Sequence, residues 1–88
     1  MSDIRNKTYA EAVKISRDYL GPAAERFIER QVRSHLNKDP ADLQPHDLYK
    51  LLDWIRISVS FLSEDADVVE DYVHQLRKLA SKGVNSNE

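Results

Sequence analysis

Three histidines are the side chains of this 88-residue chain that are best suited to bind a metal or transfer a proton near neutral pH. They are His35, His46 and His74, and each lies in a different segment. None forms a recognisable zinc-binding pattern with a second ligand three or four residues later. The chain contains no cysteine, which excludes disulfides, thiol catalysis and cysteine-ligated metal sites. We therefore expect no metal and no cofactor.

A cluster of carboxylates is the second candidate for chemistry. Its members are Glu64, Asp65, Asp67, Glu70 and Asp71. Such a group could act as acid and base or hold a cation, but it lacks the glycine-centred loop of a calcium-binding hand. Acidic residues in the first turn of a helix favourably oppose the helix dipole. With no phosphate-binding glycine loop and no evident Ser-His-Asp set, we expect a non-enzymatic protein without a small-molecule substrate.

Three arginines form the third candidate, a binding surface. Arg26, Arg30 and Arg33 recur at helical spacing, so they share one face of a predicted helix. Such a stripe could lie along nucleic-acid phosphates or dock on an acidic protein surface. Two glutamates, Glu25 and Glu29, are interleaved with it, and the sequence pI is about 5.9. We therefore favour a protein partner or a second copy of the chain, and keep nucleic acid as the alternative.

The most apolar segment, residues 47–62, organises the rest of the chain. One helical stripe predicts a core face and consists of Leu48, Leu51, Leu52, Ile55, Val59 and Leu62. A second row, Trp54, Ile57 and Phe61, is rotated from this stripe by about 100 to 160°. Two interpretations stay open: other helices of the chain bury this row, or it is an exposed contact for another protein or a second copy.

The remaining pattern predicts three more helices. A capping box at Thr8 and Glu11 starts helix 1, and Gly21-Pro22 ends it and directly opens helix 2. So short a junction predicts a steep angle or a sharp bend between the two helices. Helix 2 is expected to reach about Leu36, with His35 on or beside its buried stripe and bonded to a loop carbonyl.

A connection with two prolines, residues 37–45, is expected to follow, and Leu43 is its apolar anchor. Pro45 and Asp47 suit the first turn of helix 3. Ser63 is expected to cap helix 4, and Gly83 is expected to end it.

These elements predict an all-α, four-helix bundle-like domain with a tight Gly-Pro junction between helices 1 and 2 and with helix 3 central. The domain is expected to span residues 8–83, between a flexible arm, residues 1–7, and a flexible tail, residues 84–88. The sequence has no apolar run of 18 residues and no secretory signal, so we expect no membrane association and a cytoplasmic location.

Charge is distributed unevenly along the chain. Residues 1–38 contain eight Lys/Arg and five Asp/Glu, a net charge of +3, whereas residues 39–88 contain five and ten, a net charge of −5. Opposite net charges favour association of the two halves, within one chain or between two chains. We expect them to pack together and screen each other.

The segment Tyr19-Leu20-Gly21-Pro22-Ala23-Ala24-Glu25-Arg26-Phe27-Ile28-Glu29-Arg30-Gln31 resembles a short helical module found at the C-terminus of some bacterial serine/threonine kinases and related signalling proteins. In that module a Gly-Pro pair precedes a small residue, an apolar pair, a basic residue and a leucine-rich helix. The resemblance could span residues 15–75. This chain departs from the pattern at Glu29 and Gln31. The resemblance implies a regulatory or docking module and assigns no functional residues.

Together these observations predict a small protein–protein interaction or regulatory module, associated with signalling and homodimeric. Its expected contact residues are Arg26, Arg30, Arg33, Trp54, Ile57 and Phe61. The alternative is a helix-turn-helix-like nucleic-acid-binding protein that uses the basic face of helix 2.

Overall fold

The computed structural model describes residues 7–85, with side chains described through Lys82, and in that range the chain is helical and contains no strand. The all-α class predicted above is confirmed. Its α-helices are α1 (Lys7–Leu20), α2 (Ala24–His35), α3 (Asp47–Ser60) and α4 (Ala66–Asn85). Most of the predicted arm (residues 1–6) and the last part of the predicted tail (residues 86–88) lie outside the described residues.

Three helix ends differ from those predicted. Because α1 already includes Lys7, Thr8 lies inside the helix and is not its N-cap. The cap of α4 is Asp65, whose Oδ1 accepts hydrogen bonds from the backbone N–H groups of Asp67 (3.0 Å) and Val68 (3.4 Å). Ser63 Oγ instead accepts a hydrogen bond from the backbone N–H of Asp65, at 3.2 Å, in the connection before the helix. Gly83 does not end α4, which continues to Asn85.

The junction between α1 and α2 is as short as the sequence predicts. Gly21, Pro22 and Ala23 form a single 3-10 turn, and Gly21 adopts a φ of +65°, which L side chains rarely adopt. The two helices pack against each other across this turn. Tyr9, near the start of α1, donates its hydroxyl to the carbonyl oxygen of Glu25 in α2, at 3.5 Å.

The connection from α2 to α3 is ordered by polar contacts. Asn37 has a positive φ of 55° and ends α2, and Pro40–Asp42 forms a second 3-10 turn. Pro45 was expected in the first turn of helix 3. Because α3 begins at Asp47, Pro45 lies instead in the turn that precedes the helix. The Asp47 carboxylate is buried and accepts from Gln44 N–H at 3.0 Å and from Lys38 Nζ at 2.8 Å.

The core contains five of the six residues of the stripe predicted for α3, together with the Leu43 anchor and residues of the other three helices. It consists of Ala12, Val13, Ile28, Val32, Leu43, Leu48, Leu51, Leu52, Ile55, Val59, Val69, Tyr72, Val73, Leu76, Leu79 and Ala80. Two residues predicted to be core or to border it are exposed instead, His35 and Leu62. His35 is the last residue of α2, and Leu62 follows the end of α3, so neither is held in its helix's buried stripe.

Each helix contacts two others. α3 packs most extensively on α4 and also touches α2, while α1 packs on α2 and α4. The α1–α4 contact includes a hydrogen bond between the hydroxyls of Ser16 and Tyr72, and Tyr72 stacks on Tyr19 with ring centroids 4.8 Å apart. None of the helices between Lys7 and Asn85 is both long and apolar enough to cross a membrane.

Candidate interaction surface

A row of large apolar side chains lies exposed along the outer side of α3. Trp54 is 48% exposed, Ile57 51% and Phe61 85%. The interpretation in which other helices of the same chain bury this row is therefore wrong. Leu62, at 69% exposure, extends the row at its C-terminal end. We call these four residues the α3 row.

The α3 row is exposed because the neighbours of α3 cover only its other stripe. α4 and α2 contact α3, and the stripe from Leu48 to Val59 is buried between them. Sequence reasoning placed Leu62 in this stripe by continuing the helical period. The helix instead ends at Ser60, and Leu62 N–H bonds to the Val59 carbonyl at 2.8 Å in the following turn, which leaves the leucine side chain in solvent.

One edge of the α3 row meets α2. The imidazole of His35 stacks on the indole of Trp54, with ring centroids 4.1 Å apart and planes 9° from parallel. One turn further along α3, Gln31 Nε2 donates to Ser58 Oγ at 3.2 Å. Gln31 Oε1 is buried and has no hydrogen-bond partner within the described part of the chain. The stacking holds Trp54 against the end of α2, and the indole remains about half exposed.

Charged residues of opposite sign mark the two ends of the α3 row. Lys50 lies one helical turn before Trp54, and Glu64 follows Leu62 in the turn to α4. Both are exposed, and neither takes part in an ion pair with residues 7–82. The row is thus apolar in its middle, basic at its start and acidic at its end. Sequence reasoning missed this polarity because it treated the row and the charges separately.

The α4 side of α3 carries a charge cluster of its own. The Arg56 guanidinium donates to both carboxylate oxygens of Glu70, at 3.0 and 3.1 Å, and to Asp53 at 3.3 Å. This bidentate contact ties α3 to α4 behind the α3 row and uses one member of the acidic cluster structurally. Two further members are also occupied: Asp65 caps α4, and Asp71 accepts the Tyr19 hydroxyl.

The arginine stripe of α2 lies on a different face. Arg26, Arg30 and Arg33 are exposed, and Arg33 pairs with Glu29 at 3.2 Å. At 3.6 residues per turn, Arg30 is about 100° around α2 from Gln31, the residue that contacts α3, and the other two arginines are farther away. The fold therefore does not bring the two predicted contact surfaces together.

Acidic groups interrupt the arginine stripe, as the sequence indicates. A depression of about 540 Å³ beside Arg26 is lined by Pro22, Ala23, Glu25, Arg26 and Glu29. Two carboxylates thus flank one guanidinium. This mixed charge is poorly suited to a row of phosphates, because affinity for nucleic acid depends on cations that are free to neutralise phosphates.

Ion pairs within the described side chains join residues of the same half of the chain more often than they join the two halves. Arg17–Glu25 and Glu29–Arg33 lie in the basic half, and the Arg56 pairs lie in the acidic half. Lys38–Asp47 crosses between the halves. We expected the charges of the two halves to pair with each other. Among these ion pairs, only Lys38–Asp47, in the α2–α3 connection, does so.

The three histidines lie at the end of α2, just before α3 and within α4, and all three are exposed. In the part of the chain that the structure describes, no three histidine or carboxylate side chains are grouped closely enough to hold a metal ion. Exposed apolar surface therefore remains the clearest functional feature of the described residues.

Comparisons of the chain with profiles of known families, with curated proteins and with solved structures found no match. The resemblance of residues 19–31 to a kinase-associated helical module stays a prediction.

Proposed function

We propose that this chain is a small non-enzymatic protein–protein interaction module that binds its partner through the α3 row. The observation that carries the proposal is the joint exposure of Trp54 and Ile57 on α3 and of Phe61 and Leu62 directly after its end. Contiguous exposed apolar patches mark contact surfaces on small soluble domains, and tryptophan is among the residues that contribute most to binding energy.

The scaffold that we propose for this surface is a four-helix bundle-like arrangement. It is supported by the contacts of each helix with two neighbours and by the tight junction at Gly21–Ala23. The arrangement presents the α3 row on a helix whose opposite stripe is fully packed, and a helix anchored in this way holds its outer side chains in place for a partner.

A regulatory role in signalling and a cytoplasmic location belong to the same proposal. The resemblance of residues 19–31 supports the regulatory role. The absence of cysteine in the sequence is compatible with a reducing compartment.

The first test of the proposed function compares the solution mass of the wild-type chain with that of a Trp54→Ala, Phe61→Ala variant. We expect light scattering to show a homodimer for the wild type at low and high salt and a monomer for the double variant. Far-UV circular dichroism should show equal helicity, because Phe61 is 85% exposed, Trp54 is about half exposed, and neither belongs to the core. Val68→Ala, which alters an exposed apolar residue on α4, is the matched control and should leave the mass unchanged.

A variant of unchanged dimeric mass would contradict the assignment of the α3 row as the contact surface. A wild-type monomer would move the test to heterologous partners. In that case, a photo-crosslinking residue at position 57 should capture a specific protein, whereas one at position 68 should not.

The nucleic-acid alternative requires the arginine stripe and has a separate test. We expect fluorescence anisotropy to show no binding of a labelled 20-base-pair duplex at 200 mM salt. Affinity that falls steeply between 50 and 200 mM salt and is lost in Arg30→Glu would favour the alternative instead.

A further inference from the structure

We infer that the partner of the α3 row is a second copy of this chain, paired in the antiparallel sense about a two-fold axis near Ile57. This inference rests on the proposed function, since it names the partner of the same surface. It is carried by the charges at the two ends of the α3 row and by the apolar area that the row exposes.

The end charges select the direction of pairing. Lys50 precedes the α3 row and Glu64 follows it, and both are exposed. In a parallel pair, Lys50 would lie beside Lys50 of the other copy, and Glu64 beside the other Glu64. In an antiparallel pair, each lysine lies beside the partner's glutamate instead. Electrostatic complementarity of this kind fixes orientation and register in protein interfaces.

The spacing of the α3 row agrees with this direction. Lys50, Trp54 and Ile57 follow one another on α3 at steps of four and three residues, the alternation of a helix that packs along another helix. Phe61 and Glu64 continue the series four and seven residues after Ile57, in the turn beyond the end of α3 at Ser60. Its middle member is Ile57, so a two-fold axis beside Ile57 brings the Trp54 end of one copy to the Phe61 end of the other. A two-fold interface uses the same patch twice, and this patch is self-complementary.

The exposed area is sufficient for a weak dimer. From their fractional exposures, Trp54 and Phe61 together expose about 300 Å². With Ile57 and Leu62 included, full burial of these residues in two copies would remove on the order of 1,000 Å² of surface from water. The sum approaches the lower end of the range for specific interfaces, roughly 1,200 Å². We therefore expect a dissociation constant on the order of micromolar.

The experiment exchanges the two end charges and measures self-association by sedimentation equilibrium. Lys50→Glu alone places glutamates opposite each other at both ends of the antiparallel pair, and Glu64→Lys alone does the same with lysines. Each single variant should dimerise about tenfold more weakly than wild type at low salt. An equimolar mixture of the two variants should recover wild-type affinity, because each chain then meets its opposite charge at both contacts.

Lys78→Glu, an exposed charge reversal on α4, is the control for non-specific charge effects and should leave the dissociation constant unchanged. All variants should retain wild-type helicity, since Lys50 and Glu64 form no ion pair with residues 7–82.

The outcomes separate this inference from the proposed function. Loss in both single variants with recovery in the mixture supports antiparallel self-pairing. A dimer that dissociates in Trp54→Ala, Phe61→Ala but is insensitive to the charge exchange overturns the antiparallel pairing and leaves the α3 row as the contact surface. A dimer insensitive to both overturns the two together. A wild-type chain that stays monomeric up to about 500 μM, well above the expected constant, overturns the second copy as the partner.

Discussion

Asp47 illustrates how a single side chain joins two segments of the chain. Burial alone would raise the pKa of its carboxyl, but the hydrogen bond from Lys38 and the Gln44 N–H more than offset burial and lower this pKa. The ionised carboxylate thus fixes the connection between α2 and α3, and it holds the start of the helix that carries the α3 row.

We predict that Asp47→Asn lowers the free energy of unfolding by about 2 kcal/mol at pH 7, because it removes a charge-assisted hydrogen bond. The folded-state pKa of Asp47 lies below its unfolded value of 3.8, so its contribution to stability is present above pH 3.8 and is lost as the pH falls through the folded pKa. Urea unfolding at pH 7 and pH 2.5 should show the difference between wild type and variant shrinking in acid. A difference independent of pH would contradict this role.

Gly21 has a purely conformational role. Its φ is +65°, and a Cβ placed there would meet no atom within 4 Å. We predict that Gly21→Ala destabilises the fold by about 1 kcal/mol, through backbone strain alone. Gly21→Asn is the matched control and should cost less, because asparagine tolerates this conformation better. Urea unfolding of the three proteins measures both effects, and a stabilised alanine variant would show that the junction does not require this φ.

The role of Gly21 could be predicted from the sequence, whereas the surroundings of Asp47 and His35 could not. Gly21 was identified because a Gly-Pro pair has a local meaning that is independent of the fold. Asp47 was assigned to the helix dipole, and its burial was not foreseen, because its partner Lys38 is nine residues away across an irregular connection. His35 was placed by helical period beside the core, and the structure shows it on the surface against Trp54, a contact between two helices that one helix's period cannot reveal.

At the scale of elements, α1 and α4 meet through tyrosines. Burial raises the pKa of Tyr72 to about 12, partly opposed by its hydrogen bond with Ser16. The hydrogen bond to Asp71 is the main cause that raises the pKa of Tyr19 to about 12. Both tyrosines therefore stabilise the folded state while they are protonated, and their ionisation destabilises it.

We predict that this contact weakens in alkali. The tyrosines contribute fully below pH 10, their unfolded value, and lose that contribution as the pH rises from 10 to about 12. Tyr72→Phe should cost about 1 kcal/mol at pH 8 for the lost hydrogen bond. The difference should diminish at pH 11, because ionisation of Tyr72 in the unfolded state destabilises only the wild type. Urea titrations at the two pH values measure this, and a constant difference would contradict it.

Helix positions and buried stripes were largely predictable, since the apolar period directly encodes which side of each helix is buried. The stripe of α3 was correct except for Leu62, because the helix ends two residues earlier than the period suggested. What the period could not decide was whether Trp54, Ile57 and Phe61 were covered. That depends on how many helices surround α3, which follows from the packing of the whole chain.

At the scale of the whole molecule, a small domain leaves one apolar side of α3 uncovered. A chain of 88 residues buries a modest share of its surface, about 60 to 65%, so a second subunit would add appreciably to its stability. If the α3 row is the site of such pairing, thermal stability should depend on protein concentration, because a bound partner stabilises the folded state by mass action.

We predict that the melting temperature rises by several degrees between 5 and 500 μM for the wild type and stays constant for Trp54→Ala, Phe61→Ala. Calorimetry or circular dichroism over this range measures the effect. An equal rise in the double variant would place the self-association elsewhere on the molecule.

The α3 row is tested most directly by the solution mass of the wild-type chain beside that of Trp54→Ala, Phe61→Ala, measured by light scattering at low and high salt. We predict a dimer for the wild type under both conditions, since the contact is mainly apolar, and a folded monomer for the variant. A variant that remains dimeric would contradict the claim that the α3 row is the interface.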